Sequence, residues 1–387
     1  MNIFFRTDAS IEIGTGHVMR CLTLAHSLRE KGIKVSFICR ENNGDLCSYI
    51  EHKGFIVYRL KSKSVDITGI EYITAHSRWL TVDWKTDAGA TSTILKMQNN
   101  IDWLIIDHYA IDKHWEKRIR PFVKKIMVID DLADRKHDCD LLLDQNFHEE
   151  KATRYKGLVP GKCKQILGPK YALLRKEFRE ERKNIDPHHG NINCLLVFFG
   201  GSDPLNQTSK VLSALQTFKQ RDFKIIVVVG KTNPFKEQIE RICKTMINTE
   251  FYYQIENIAE LMRESDLAIG AGGSTLWERC CMALPAVVII TAYNQEMLAK
   301  SANKENLVFY LGKAEEVDIK TIQSQLNYIF ENPEKLIELS NKGINLVDGK
   351  GTDRVVNEII RFKYKVTIVS DKDSWINDFI PVLNSKL

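Results

Sequence analysis

Two groupings in the sequence combine residue types and spacings that suit chemistry. The first is Gly14-Thr15-Gly16-His17, directly ahead of an apolar-periodic run. Glycines let a chain turn sharply and bring its backbone close to a ligand. A histidine at a helix start meets the positive end of the macrodipole, which disfavours imidazolium. A neutral imidazole is what a general base near neutral pH has to be. The same residues also suit an ordinary tight turn with a capping histidine, and spacing alone does not separate the two. Asp8, Asp107, His108 and Tyr109 complete this rim. A carboxylate would orient the imidazole, and the Tyr109 hydroxyl would bond a sugar or a water. Either aspartate serves equally well as a loop or helix cap. Asp130 and Asp131 are adjacent and point in different directions, so both read as structural. His188 and His189 read as solvated.

The second grouping lies in the other half of the chain. Phe199-Gly200-Gly201-Ser202-Asp203-Pro204 follows a strand-like run and precedes a helical one. Gly270-Ala271-Gly272-Gly273-Ser274-Thr275 does the same and leads to Glu278. Glycines before a helix leave N–H groups free for phosphate oxygens, and the Ser and Thr hydroxyls add donors. Glu278, one turn on, is placed to accept both hydroxyls of a ribose, although a first-turn glutamate is also ordinary dipole compensation. Neither loop is GxxxxGK[ST], so triphosphate hydrolysis is not indicated. Two such turns in one domain suggest a single diphosphate held from two sides, with no metal or cofactor. HExxH, apolar-flanked DxD and clustered histidines are all lacking from the sequence.

These groupings need a scaffold, and the rest of the pattern describes one. Asn2–Thr7, Lys34–Cys39, Trp103–Asp107 and Lys125–Asp131 are apolar runs without alternation, as in parallel strands buried on both faces. The helical run Val18–Lys31 separates the first two. Ligand crevices in such sheets lie at the carboxyl ends of strands. Cys194–Phe199, Ile225–Val229 and Leu267–Ile269 repeat the theme, with a helix over Ser209–Gln220. The reading is an α/β protein of two Rossmann-like domains facing a cleft. They span 1–175 and 192–362, joined by a charged linker over 176–191. The second closes with a helix at Asp353–Phe362. The segment 363–387 reads as a further strand and helix, either the start of another domain or an element packed on the first.

Length and composition agree with two globular domains. The chain has 387 residues, 44% hydrophobic and 27% charged. Its 55 basic residues are interspersed with 50 acidic ones, with no basic tract of the kind nucleic-acid binding needs. Met1–Phe5 lacks the form of a secretion signal. No run reaches the roughly 18 apolar residues of a membrane span. The nine cysteines are odd in number and include no CxxC, so they read as reduced core thiols of a cytosolic protein.

An ordered set of motifs adds a resemblance. Phe5–Ser10 followed by Gly14–Ala25 resembles the N-terminal signature of the UDP-2,4-diacetamido-2,4,6-trideoxy-β-L-altropyranose hydrolases of pseudaminic acid biosynthesis. The likeness continues through Asp107–Tyr109, Ile129–Arg135, His137–Asn146, Leu167–Arg175, Phe199–Pro204 and Gly270–Cys281, and covers roughly residues 1 to 360. It implies a glycosyltransferase-B fold similar to that of the peptidoglycan N-acetylglucosaminyltransferase. It implies that His17 serves the attacking water, with Asp8, Gly14, Thr15, Gly16, Arg20 and Tyr109 lining the same side. Across the cleft it implies Gly201, Ser202 and Gly272–Thr275 for the diphosphate and Glu278 for ribose. The Ile255 backbone would read uracil, with Asn294 and Gln295 near the sugar. Ala283-Leu284-Pro285 departs from the Gly-Leu-Pro expected there. Residues after Tyr364 resemble the opening of a formyltransferase-like domain, which implies a fused or associated sugar-modifying partner. The expected reaction is inverting hydrolysis of a UDP-sugar at C1–O. Rivals are a UDP-sugar-dependent glycosyltransferase, a nucleotide-sugar-binding module without activity, and a hydrolysing 2-epimerase.

Overall fold

The apolar runs become the middle strands of two parallel sheets in the computed structural model. It describes residues 1–62, 74–148, 150–186, 188–218 and 222–362, with the side chain of Asn294 left out. The strand and helix expected at 363–387 lie outside the described residues, as does their likeness to a formyltransferase-like domain.

The first sheet comprises β1 (Asn2–Thr7), β2 (Lys34–Arg40), β3 (Ile56–Leu60), β4 (Trp103–Asp107), β5 (Lys125–Ile129), β6 (Leu141–Asp144) and β7 (Lys164–Leu167), in the order β3-β2-β1-β4-β5-β6-β7. The second comprises β8 (Cys194–Phe198), β9 (Lys224–Val229), β10 (Thr249–Tyr253), β11 (Leu267–Ala271), β12 (Ala286–Ile290) and β13 (Phe309–Lys313), in the order β10-β9-β8-β11-β12-β13. All pairings are parallel. Strand order reverses at β1/β4 and again at β8/β11, and loops leaving such a switch point diverge to open a crevice. Register brings Thr7 beside Asp107 at the first and Phe198 beside Gly270 at the second. Four strand ends thus present their loops to one cleft.

The halves are in contact across it. Trp277 Nε1 donates to Asn146 Oδ1 at 3.0 Å, and Thr15 Oγ1 lies 3.3 Å from where a Cβ on Gly201 would stand. Among the described residues no helix is long and apolar enough to cross a membrane.

Packing redraws the expected boundaries. The closing helix Gly351–Arg361, assigned by sequence to the second domain, buries Val355, Val356 and Ile359 in the core of the first, against the helix Gly16–Glu30. Each such side chain is worth roughly 1.5–3 kcal/mol of burial, enough to anchor the helix there. Conversely Ala172, Leu174 and Phe178 join the core of the second. The two crossings touch: Ala172 O lies 2.3 Å from where a Cβ on Gly351 would stand, so only glycine fits. The expected linker is no free tether either. It forms the helix Lys176–Glu181, Arg182 donates to Cys281 O and Ile344 O, and His188, read as solvated, accepts from Gly190 N and bonds Asp266 O.

Candidate active site

After β1 the chain turns through residues 8–15 into the helix Gly16–Glu30. Gly14 N donates to Ser10 O at 2.8 Å, and Gly14 adopts φ +76°, which side chains rarely tolerate. The tight loop sets His17 in the helix's first turn. Its ring packs edge-on against Tyr109, with centroids 4.5 Å apart, and lies 6.0 Å from Trp79, which itself stacks on Tyr109. His17 is 6% exposed and lines the cleft.

His17 Nδ1 lies 2.6 Å from Asp107 Oδ1. An ionised carboxylate only accepts, so Nδ1 carries the proton, and in the neutral ring Nε2 keeps the lone pair. Among the described residues Nε2 has no hydrogen-bond partner. Asp107 is fully buried. Burial pushes its carboxyl up, but Arg20 and His17 outweigh that and hold it well below the usual carboxylate range.

Three expected ligand contacts take other roles. Arg20 lines the cleft, yet its Nε and Nη2 both donate to Asp107 at 2.6 Å and Nη1 donates to Asp131 at 2.9 Å. All three of its nitrogens are thus engaged by Asp107 and Asp131. The Tyr109 hydroxyl, expected to bond a sugar or water, donates to Asp131. Asp131 therefore belongs to the site and is not merely structural, whereas Asp130 is buried between Arg135, Ala133 N and Tyr155. Asp8, expected to line the cleft, is buried away from it. It is 0% exposed and takes Arg6 Nη1 at 2.6 Å, Arg40 N at 2.7 Å and His108 Nε2 at 3.2 Å. Arg6 is sealed inside β1 and requires counter-charges, which Asp8 and Asp87 provide.

The facing wall comes from the second sheet. The loops after β8 and β11 bring Gly200, Gly201 and Ser202 beside Gly272, Gly273, Ser274 and Thr275. Thr275 Oγ1 is buried without a partner among the described residues, a donor awaiting an acceptor. Gln295 Oε1 accepts from Thr291 N at 3.1 Å, leaving its amide N–H groups for the cleft. Glu278 is half-buried, 3.7 Å from Arg175 Nη2. Burial raises its pKa above 4.5, with Arg175 and Arg279 opposing.

The cleft has two adjoining compartments, of about 300 and 340 Å³. One runs between Met19, Leu46 and Tyr49 of the first half and Val229, Ile255, Ile258 and Glu278 of the second. The other lies between Gly14–His17 with Tyr109 and Asp131, and the loops Gly200–Ser202 and Gly272–Thr275 with Gln295. Thr15, Gly16, Arg20, Ser274 and Thr275 border both. Of the residues expected from sequence, Asp8 lies off the cleft and the Asn294 side chain falls outside the described residues. The sequence reading missed Gln145, Asn146, Lys231 and Trp79. The first three follow β6 and β9 at strand ends, where the crevice rule would have flagged them. Trp79 sits in the single turn Ser77–Leu80, and no local pattern marks it. The arrangement as a whole can hold a water on a carboxylate-backed imidazole opposite a loop rich in anion-binding donors.

Two parallel-sheet α/β units meeting at this cleft define a protein of the glycosyltransferase-B fold. Residues 195–350 match the glycosyltransferase family 28 C-terminal domain. A crystal structure of Acinetobacter baumannii MurG aligns with a TM-score of 0.63 at 14% identity over 93% of this chain and 99% of that one, a likeness of fold. The UDP-2,4-diacetamido-2,4,6-trideoxy-β-L-altropyranose hydrolase of Campylobacter jejuni is 32% identical over 301 residues, covering 77% of this chain and 95% of the relative. An uncharacterized protein of Methanocaldococcus jannaschii is 30% identical over 297 residues, 75% of this chain. This chain spans only 55% of that protein's length. The chain belongs to the UDP-2,4-diacetamido-2,4,6-trideoxy-β-L-altropyranose hydrolase family, as an enzyme of the glycosyltransferase-B superfamily with a nucleotide-sugar-related role.

Proposed function

We propose that the chain hydrolyses a UDP-sugar at the anomeric C1–O bond with inversion, the sugar being 2,4-diacetamido-2,4,6-trideoxy-β-L-altropyranose or a close relative. The free sugar would then feed nonulosonic (pseudaminic) acid synthesis in the cytosol. A single observation carries the reading: His17, backed by Asp107 at 2.6 Å, shares one compartment with the Gly272–Thr275 loop.

UDP lies with its diphosphate on the Gly201–Ser202 and Gly272–Thr275 loops, its ribose on Glu278 and its uracil at the Ile255 backbone. Gln295 and Asn294 border the sugar. Water held by His17 Nε2 attacks C1 from the face opposite UDP. The new C1–O bond forms as the old one breaks, UDP departs with the electron pair, and the water's proton passes to Nε2. Loop N–H groups and hydroxyls meet the charge developing on the diphosphate, a preorganised electrostatic effect. Asp107 fixes the ring and balances the imidazolium, with Arg20 and the Asp131–Tyr109 pair bracing Asp107 and the ring face.

Loss of a general base typically lowers turnover about 10²–10⁴-fold. His17→Asn should do so while leaving UDP affinity near wild type. Wild-type turnover in that variant would sink the assignment. NMR of the reaction in H₂¹⁸O with UDP-diacetamido sugars tests the bond cleaved and the anomer formed.

A second reading, a glycosyltransferase passing the sugar to a hydroxyl acceptor, draws support from the family 28 match over residues 195–350. Free sugar formed at enzymatic rates without acceptor favours the hydrolase. Turnover only when an acceptor is added favours the transferase.

A further inference from the structure

Beneath the Gly270–Thr275 loop the helix Thr275–Cys281 carries Arg279, a residue that does not line the cleft. The residue is 2% exposed. Nη2 donates to Ala271 O at 2.7 Å, and Nη1 lies against Gly270, 3.0 Å from where a Cβ would stand. Nε is buried with no hydrogen-bond partner among the described residues. The other buried arginines among the described residues are compensated: Arg6 by Asp8 and Asp87, Arg20 by Asp107 and Asp131, Arg40 by Asp87, Arg135 by Asp130. Among the described residues no carboxylate makes an ion pair with Arg279. Its neighbours Trp277, Cys280 and Cys281 belong to the apolar core. Burial pulls the guanidinium down to about 10, with Cys280 and Glu278 opposing, and it stays charged near neutral pH.

An uncompensated cation in such a place is costly for folding, and an apolar side chain of similar volume often serves stability better. The cost is offset if an anion arrives nearby, because charges separated by protein interior attract more strongly than through water. The surface directly above Arg279 is the glycine–hydroxyl loop.

We propose that Arg279 is a positioning residue for the diphosphate: it braces the Gly270–Thr275 loop through Ala271 O and places a sealed positive charge beneath it. The inference rests on the reading that this loop holds the diphosphate of UDP. It predicts a ligand-dependent effect, since uridine offers the same base and ribose without the charge.

Calorimetric titration of UDP and uridine into wild type, Arg279→Met and Arg279→Lys separates the possibilities. R279M should fold with unliganded thermal stability equal to or above wild type. It should bind UDP about 10-fold more weakly, a change of about 1.4 kcal/mol, with uridine affinity within about twofold. R279K keeps the charge and should keep the UDP-to-uridine affinity ratio within about threefold of wild type. If R279M fails to fold, Arg279→Gln takes its place with the same expected ratio. Equal losses for both ligands, or no loss of UDP binding in the neutral variants, would overturn the inference while leaving the loop assignment standing. Wild-type protein binding UDP no better than uridine would remove the loop assignment itself, and Arg279's role with it.

Discussion

One oxygen of Asp107, Oδ1, receives both His17 Nδ1 and Arg20 Nη2, each at 2.6 Å. The imidazole is thus oriented by a carboxylate that is itself immobilised by a planar fork, so ring position and charge balance depend on one buried group. Asp107→Asn keeps the shape but exchanges an acceptor-only group for an amide. Turnover should fall roughly 10²–10⁴-fold through misorientation of the base and loss of counter-charge. UDP affinity should change little, because Asp107 lies behind His17. Single-turnover rates alongside UDP titration check the split, and a parallel loss of both would place Asp107 in general folding.

Glu278 gives the pH dependence of ligand binding its sign. In the free protein burial raises its pKa above 4.5. Ribose hydroxyls donate to the carboxylate and so favour its ionised form, which makes the bound-state pKa lower than the free one. UDP affinity is therefore full above the free-protein pKa and declines as pH falls through it. Titrations from pH 8 downward should show this decline in wild type and not in Glu278→Gln, whose affinity should be lower at pH 8. A decline surviving in E278Q would assign it to another group.

Thr275 should separate stability from binding. Among the described residues its buried Oγ1 lacks a partner, and such a group costs about 1–3 kcal/mol when left unsatisfied. Thr275→Val keeps the shape and removes the penalty, so the unliganded protein should gain on the order of 1 kcal/mol. UDP should bind about tenfold more weakly, the value of one hydrogen bond to a charged group. Urea denaturation with and without UDP reads both quantities in one experiment.

Ala283 stands where the family resemblance leads one to expect glycine, and its backbone adopts φ +53°. A left-handed conformation costs a residue with a Cβ about 1–2 kcal/mol. Ala283→Gly removes that cost but admits more unfolded-state freedom, for a net gain of roughly 0.5–1 kcal/mol. Thermal unfolding should shift upward by about 2 °C with kinetics unchanged. A downward shift would mean the methyl of Ala283, a buried residue, contributes packing that outweighs the strain.

The scaffold was legible because parallel strands buried on both faces need uninterrupted apolar runs. β1 and β4 follow from sequence to the residue, and their ends point to the cleft through the switch-point rule. Glycine turns were legible for a related reason, since few other residues suit them. Partnership was harder to read. Asp8, Asp107, Asp130 and Asp131 look alike as strand-end carboxylates, and only the fold sends Arg6 to Asp8 and Arg20 to Asp107 and Asp131. The register that decides this is a long-range property with no local signature. The destination of the closing helix was hidden likewise: its apolar periodicity announces a buried face without naming the core that receives it.

That helix returns to the first half beside the chain's earlier passage out of it. Thr352 Oγ1 donates to Leu174 O at 2.9 Å, and Arg354 Nη1 to Lys170 O at 2.8 Å. The halves are therefore joined by a paired seam and not by one swivel. The seam is closest where Ala172 O meets Gly351, which has no side chain to hold the two crossings apart.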